Sequence, residues 1–326
     1  MPPKGHHFIP RLHLQHFVGE DPPGQVWSYD KQTRRTWSAV PQETAVQTHF
    51  YSVEQPDGTM NTSLEEALSK IEGAAAPVYQ RLVERAIPED QERMDFAHFT
   101  GVMIVRTPAM RRMMAEIYGR MLQIENYAYA TNPEAFEGLV ARFEKETGRK
   151  LEPGAKEAVK QAMIDPSART IILPQEQTLN VLKSAENLAE LFFDMNWFTI
   201  RAAQGFFITS DNPVVREVDP RTRHPFYGDH GFVNETAEVT FPLSREILLL
   251  MAWSDRRRKE ALDRQAVDMA NRARAAHSDR YLYSHIRHKY VERLCFEFKD
   301  SRPAMKTEGF GPDKFASIKV SRRSNK

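Results

Sequence analysis

The chain has 326 residues, 41% hydrophobic and 10% aromatic, which supplies a sizeable core and excludes a disordered chain. Its 45 Lys and Arg nearly cancel its 44 Asp and Glu, so a net charge of +1 gives no global field toward nucleic acid or an anionic membrane. The single cysteine, Cys295, excludes an intrachain disulfide framework and a multi-cysteine zinc site, and points to a reducing, cytoplasmic setting.

The first twenty residues, MPPKGHHFIPRLHLQHFVGE, carry four histidines and no apolar run suited to a secretory signal, so the protein is expected to stay where it is made. Val26–Tyr29 (VWSY) and Thr36–Val40, separated by polar DKQTRR, predict a hairpin. Thr62 and Glu65 have capping-box spacing, and Leu64, Leu68, Ile71, Ala75, Val78 and Leu82 then recur at helical intervals, which predicts an amphipathic helix. The same periodicity runs from Glu89 to Ala130, where Pro108 removes a helical hydrogen bond and leaves two outcomes open, one bent helix or two consecutive ones. Pro133 opens a further helix, Gly148 closes it, Pro153 opens the next, and Glu176–Met195 is helical in composition.

At Asn196 the pattern changes. WFTIRA, GFFITS, AEVTFPLS and EILLLMAW are dense in β-branched and aromatic residues and predict antiparallel strands. The longest apolar run, Ile247–Trp253, is far short of the roughly 20 residues that cross a bilayer and reads as a buried strand, so no membrane partner is expected. Ser254 is expected to cap a charged helix reaching about His277, and Asp300–Lys326 reads as a frayed basic tail. The expectation is an α+β fold, a helix-rich body packed on a small antiparallel sheet. It forms one domain over 1–299, with a helical part at about 62–195, a sheet at about 196–253, closing helices at about 255–295, and the tail at 300–326. The N-terminal His segment is expected to pack against this body.

The segments HHFIPRLHLQHF, VWSYDK, HFYSVE, LEEALSKIE, RTPAMR, FFITSDNPV and FPLS resemble, in the same order, the bacterial domain of unknown function 4238 family. The likeness leaves out the middle from about Glu125 to Gln177 and the C-terminal tail. It implies relatedness and brings no activity, cofactor or catalytic residue with it, so chemistry has to come from the side chains.

Five groups of residues carry candidate chemistry. His6 and His7 precede Pro10, and neutral imidazole binds divalent metals or serves as a general base near neutral pH. His13 and His16, three residues apart, share a helix face, though a buried or solvated structural role is the simpler reading for them. In GFFITSDNPVV a strand runs into Ser210, Asp211, Asn212 and Pro213, which places polar groups at a strand end; the same pattern makes a turn in which Asp211 caps free amides. Arg106, beside the Pro108 break, suits bidentate binding of phosphate or carboxylate, while Arg111 and Arg112 read as surface charges. Glu72 and Asn271, both on predicted helices, complete the set as substrate-binding residues with Ser210 and Asn212.

HHFIP is also similar to the HHxxP opening of His-Asn-His nucleases, but the first Asn after His7 is Asn61, too distant for that motif. No Walker loop, GxGxxG, HExxH or GxSxG is present, and the Arg256–Lys259 run lacks interleaved aromatics and reads as a helix face. The favoured expectation is a hydrolase for a phosphodiester or other small polar substrate. It would use His6 or His7 to activate water, a divalent metal held by His6, His7 and Asp211, and Arg106 to stabilise anionic charge. The alternative is a protein that senses a small-molecule or nucleotide-like ligand, or binds a partner, without turnover. The catalytic reading requires His6 or His7, Asp211 and Arg106 to converge.

Overall fold

The computed structural model describes residues 5–48, 53–54, 60–61, 63–165, 174–222, 231–256 and 258–303. In chain order, β1 (Gly5–His7), α1 (Arg11–Leu14), β2 (Val26–Asp30), β3 (Thr36–Ala39), β4 (Val46–Thr48), β5 (Val53–Glu54) and β6 (Met60–Asn61) lead into a helical stretch. That stretch comprises α2 (Ser63–Val83), α3 (Asp90–Val105), α4 (Pro108–Thr131), α5 (Pro133–Thr147), α6 (Pro153–Ile164) and α7 (Pro174–Asp194). Then come β7 (Asn196–Ala202), β8 (Thr209–Ser210), β9 (Val215–Glu217), β10 (Glu238–Pro242), β11 (Ile247–Ala252), β12 (Ala261–Leu262), α8 (Arg264–His277), β13 (Tyr281–Ser284) and α9 (Lys289–Glu297). The fold is α+β. Among the described residues no helix is long and apolar enough to cross a membrane.

The described residues separate into two compact units, one within 1–111 and 174–303, the other within 112–165. In the second unit Asn132 caps α5 by accepting the amides of Glu134 and Ala135, and Gly148, at φ 69°, ends the helix in the left-handed region. Lys156 on α6 reaches Glu137 at 2.9 Å and ties α6 to α5.

In the first unit β12-β7-β11-β10-β9 form a sheet whose central strand, β11, is buried on both faces. Alternation explains how: Ile247, Leu249 and Met251 join the main core with α2 and α3, while Leu248 turns to Phe207 and Val267 of α8. A second sheet, β3-β2-β13-β8, pairs the expected N-terminal hairpin with strands from the far end of the chain. The N-terminal segment is anchored as expected, because Phe8, Ile9 and Leu14 lie in the main core.

Helix α3 is the centre of the helical layer and is buried almost all round from Phe96 to Val105. Pro108 ends the ambiguity left by the sequence: α3 stops at Val105, and Pro108 starts α4 at a position where no amide is needed. Thr107 bridges the break, its hydroxyl donating to the Ile104 carbonyl and accepting from the Met110 amide. Gly101 permits the close approach of α7, since a Cβ there would sit 2.5 Å from the Ala185 carbonyl oxygen, a backbone atom that moves only with its helix. Gly101→Ala is therefore expected to destabilise by about 1–3 kcal/mol despite the better helix propensity of Ala. A thermal midpoint equal to or above that of the parent chain would contradict this packing.

Two expectations change. No helix starts at Ser254; residues 254–256 and 258–260 are not helical, Ala261 and Leu262 pair in parallel with the edge of β7, and α8 begins only at Arg264. Its cap is Asp263, which accepts the Ala266 amide at 2.9 Å. The described residues of the Arg256–Lys259 run accordingly form no helix face, and Arg258 pairs with Glu238 at 2.8 Å. The Thr62 half of the capping box and the tail from 304 onward lie outside the described residues.

Candidate functional site

Strand β1 pairs antiparallel with β4, His6 opposite Gln47 and His7 opposite Val46, so the two imidazoles leave opposite faces of the ribbon. His6 is 2% exposed and its Nε2 lies 3.2 Å from Glu65 Oε2. His7 is half-buried, and its Nδ1 lies 3.2 Å from the Thr44 carbonyl oxygen. A carbonyl only accepts, so Nδ1 carries the proton, and in the neutral ring Nε2 keeps its lone pair. No hydrogen-bond partner occupies His7 Nε2 among the described residues. Burial lowers the His7 pKa below its ordinary 6.5, and the nearby guanidiniums of Arg106 and Arg11 lower it further against the opposing Thr44 bond and Glu72. His7 is thus an unprotonated, oriented base at neutral pH.

Arg106 ends α3 and is 4% exposed. Its guanidinium donates to Glu72 Oε1 at 2.5 Å and to the His7 carbonyl at 2.5 Å, so it links α2, α3 and β1. Glu65 and Glu72 are seven residues, two turns, apart on α2 and therefore share a face; one meets His6 and the other meets Arg106. The structure brings His6, His7, Glu72 and Arg106 together. Glu65 belongs with them and was missed because its spacing to Thr62 reads as a cap; the seven-residue interval to Glu72 was the signal available. The carbonyl of Thr44 leaves no such trace in the sequence.

The structure does not bring Asp211 to this cluster. Asp211 is 1% exposed, and its carboxylate accepts the backbone amides of Asp279 at 2.8 Å, Arg280 at 2.6 Å and Tyr281 at 2.8 Å. Burial pushes its pKa up to about 6 while these amides restrain the rise, so it is ionised at neutral pH. Ser210 and Asn212 complete a local clasp: Ser210 Oγ accepts the Asn212 amide, and Asn212 Nδ2 donates to the His277 carbonyl at the end of α8. The physical reason is that β8 ends against the α8–β13 turn, whose three inward amides need an acceptor. The ligand set of His6, His7 and Asp211 is not assembled, and among the described residues no group of three or more His, Cys, Asp or Glu is placed to hold a metal ion.

Asn271 also works on backbone. It is 2% exposed, accepting the Ile208 amide and donating to the Phe206 carbonyl, although one side of it faces a cavity beside α8. His13 takes the structural role: fully buried, it lies 2.8 Å from the Tyr79 hydroxyl and 2.7 Å from that of Thr209. Because Tyr79 donates to the Leu243 carbonyl, His13 must donate from Nδ1 and accept at Nε2, a neutral ring whose pKa burial drives well below 6.5. His16 stacks on the Tyr79 ring at 4.5 Å.

No curated protein and no solved structure matches the chain. The family model described as "Protein of unknown function (DUF4238)" matches residues 5–288, a span that takes in the histidine cluster, the Asp211 clasp and every strand of the two larger sheets. The chain belongs to the DUF4238 family of proteins of unknown function.

Proposed function

We propose that the N-terminal cluster is the centre of a hydrolase for a small anionic substrate, a phosphodiester being the favoured class. The observation that carries this reading is His7: a neutral imidazole, fixed through Nδ1 by a main-chain carbonyl, with its Nε2 lone pair unoccupied. That is the arrangement a general base needs. Nε2 takes a proton from water as the water oxygen bonds to phosphorus; the P–O bond to the leaving group breaks, the leaving oxygen takes a proton from solvent, and the imidazolium returns its own. Arg106 and Glu72 are positioning residues, since the guanidinium is bonded to the His7 main chain rather than presented to substrate. With Arg11 it keeps a positive potential around His7, which favours an anionic substrate. The single cysteine supports a cytoplasmic setting, and the family resemblance supports a bacterial one.

The test is an assay of the full chain against bis(p-nitrophenyl) phosphate and p-nitrophenyl esters, with chelator and with added divalent metals. Turnover is expected, with kcat rising through a pKa below 6.5, and His7→Gln is expected to lower kcat by about a hundredfold. No turnover under any of these conditions sinks the hydrolase and favours a protein that binds ligand without turnover, as does a His7→Gln variant with unaltered kcat.

A further inference from the structure

A second site lies elsewhere in the first unit and shares no residue with the histidine cluster. The turn after β7, the start of α8 and the start of α9 line an open cleft of about 940 Å³, a size suited to a small organic ligand. Gly205 forms part of its wall in the left-handed region at φ 84°, which brings bare backbone to the surface. Phe206 follows, held by edge-to-face contacts with His285, His288 and Tyr290 at 4.9, 5.7 and 6.4 Å between centroids.

The charges around this cavity are uneven. Arg264, Lys289 and Arg293 line it, and none has a carboxylate within ion-pair distance among the described residues. Neighbouring arginines behave differently: Arg272 pairs with Glu297, Arg287 with Glu292 and Arg280 with Asp30. Asp268 is the one carboxylate in the lining, so three cations against one anion leave two net positive charges. The Tyr290 hydroxyl is buried in the same lining, beside Asp268 and Asn271. Arg293 stands 5.7 Å over the Tyr290 ring, so cation and aromatic surface occur together.

We propose that this cavity binds a planar aromatic group carrying a dianionic phosphate, the chemistry of a nucleoside monophosphate. The rings of Phe206 and Tyr290 supply the apolar wall for the planar group. Arg264, Lys289 and Arg293 offset the phosphate, whose charge of about −1.5 to −2 near neutral pH matches the excess of the lining. The positive end of α9 adds to the same field.

Calorimetric titration of the full chain with AMP, adenosine and inorganic phosphate tests the proposal. AMP is expected to saturate one site, with adenosine and phosphate each at least tenfold weaker. Arg264→Glu combined with Lys289→Glu, both exposed positions, is expected to weaken AMP at least tenfold with an unchanged circular dichroism spectrum. Tyr290→Leu, which keeps an apolar side chain and removes the aromatic face, is expected to weaken it severalfold, and His7→Gln to leave it unchanged. The proposal is overturned if AMP does not saturate, if phosphate alone binds as tightly, if the charge-reversed chain binds AMP equally well, or if His7→Gln abolishes binding and so assigns AMP to the histidine cluster.

Discussion

Lys31→Met is expected to destabilise the fold by about 2–4 kcal/mol, because buried neutral acceptors left without a donor cost about 1–3 kcal/mol each. Lys31 is 1% exposed and has no carboxylate at ion-pair distance among the described residues. Its ammonium instead donates to the carbonyls of Ala275 at 2.9 Å, Ser278 at 3.0 Å and Ser301 at 2.8 Å, and to Ser278 Oγ at 3.0 Å. Burial lowers its pKa, with the negative charge of Asp211 opposing that shift. Methionine keeps the length of the stem and removes every donor, so the Ser278 and Ser301 carbonyls lose this partner while the Ala275 carbonyl keeps the Ser278 hydroxyl at 2.9 Å. Lys31→Arg should not rescue, because a planar fork cannot serve four acceptors gathered around one nitrogen. Urea unfolding measures the effect, and a loss below about 1 kcal/mol would show that water replaces the ammonium.

Asp211→Asn is expected to cost about 2–4 kcal/mol, because a carboxamide turns its NH2 group toward at least one of three amides that need an acceptor. Activity per folded molecule should be unchanged, which separates a structural clasp from a catalytic acid. The pH dependence gives a second readout. Asp211 has a folded pKa of about 6 against an ordinary 3.8, so the folded state holds the extra proton between those values and acidification through this window favours folding by this group. His13, well below 6.5, and His285, at about 4, act oppositely: their contribution is complete above 6.5 and is lost as pH falls. The parent chain should lose stability between pH 7 and pH 5 with part of the loss offset by Asp211, and Asp211→Asn should lose it more steeply. A shallower decline in the variant would contradict the assignment.

Periodicity and local chemistry made much of the fold legible. The apolar spacing from Leu64 to Leu82, the Pro and Gly punctuation at Pro108, Pro133, Gly148 and Pro153, and the β-branched runs after Asn196 each correspond to an element of the structure. These signals act within a few residues, where hydrogen-bond geometry and side-chain alternation are set by the chain itself. The start of α8 was misread for the same reason: Ser254 and Asp263 are both competent caps, and only pairing of Ala261 and Leu262 with β7 decides between them.

The candidate site divides along the same line. Residue chemistry singled out His6, His7, Glu72 and Arg106, and α2 delivers Glu65 and Glu72 to them through a spacing visible in the sequence. Whether Asp211 faced a histidine or three amides was beyond any local pattern, because both arrangements begin with the same strand and turn. The docking of β8 on β13 decided it: the α8–β13 turn presents Asp279, Arg280 and Tyr281 amides at that spot, and a buried carboxylate goes where donors would otherwise be unsatisfied. The sequence by itself determined which segments are helix or strand and which side chains can do chemistry. Tertiary structure alone decided which of them meet, since that depends on backbone donors and acceptors brought together from distant parts of the chain, and those are alike at every position except proline.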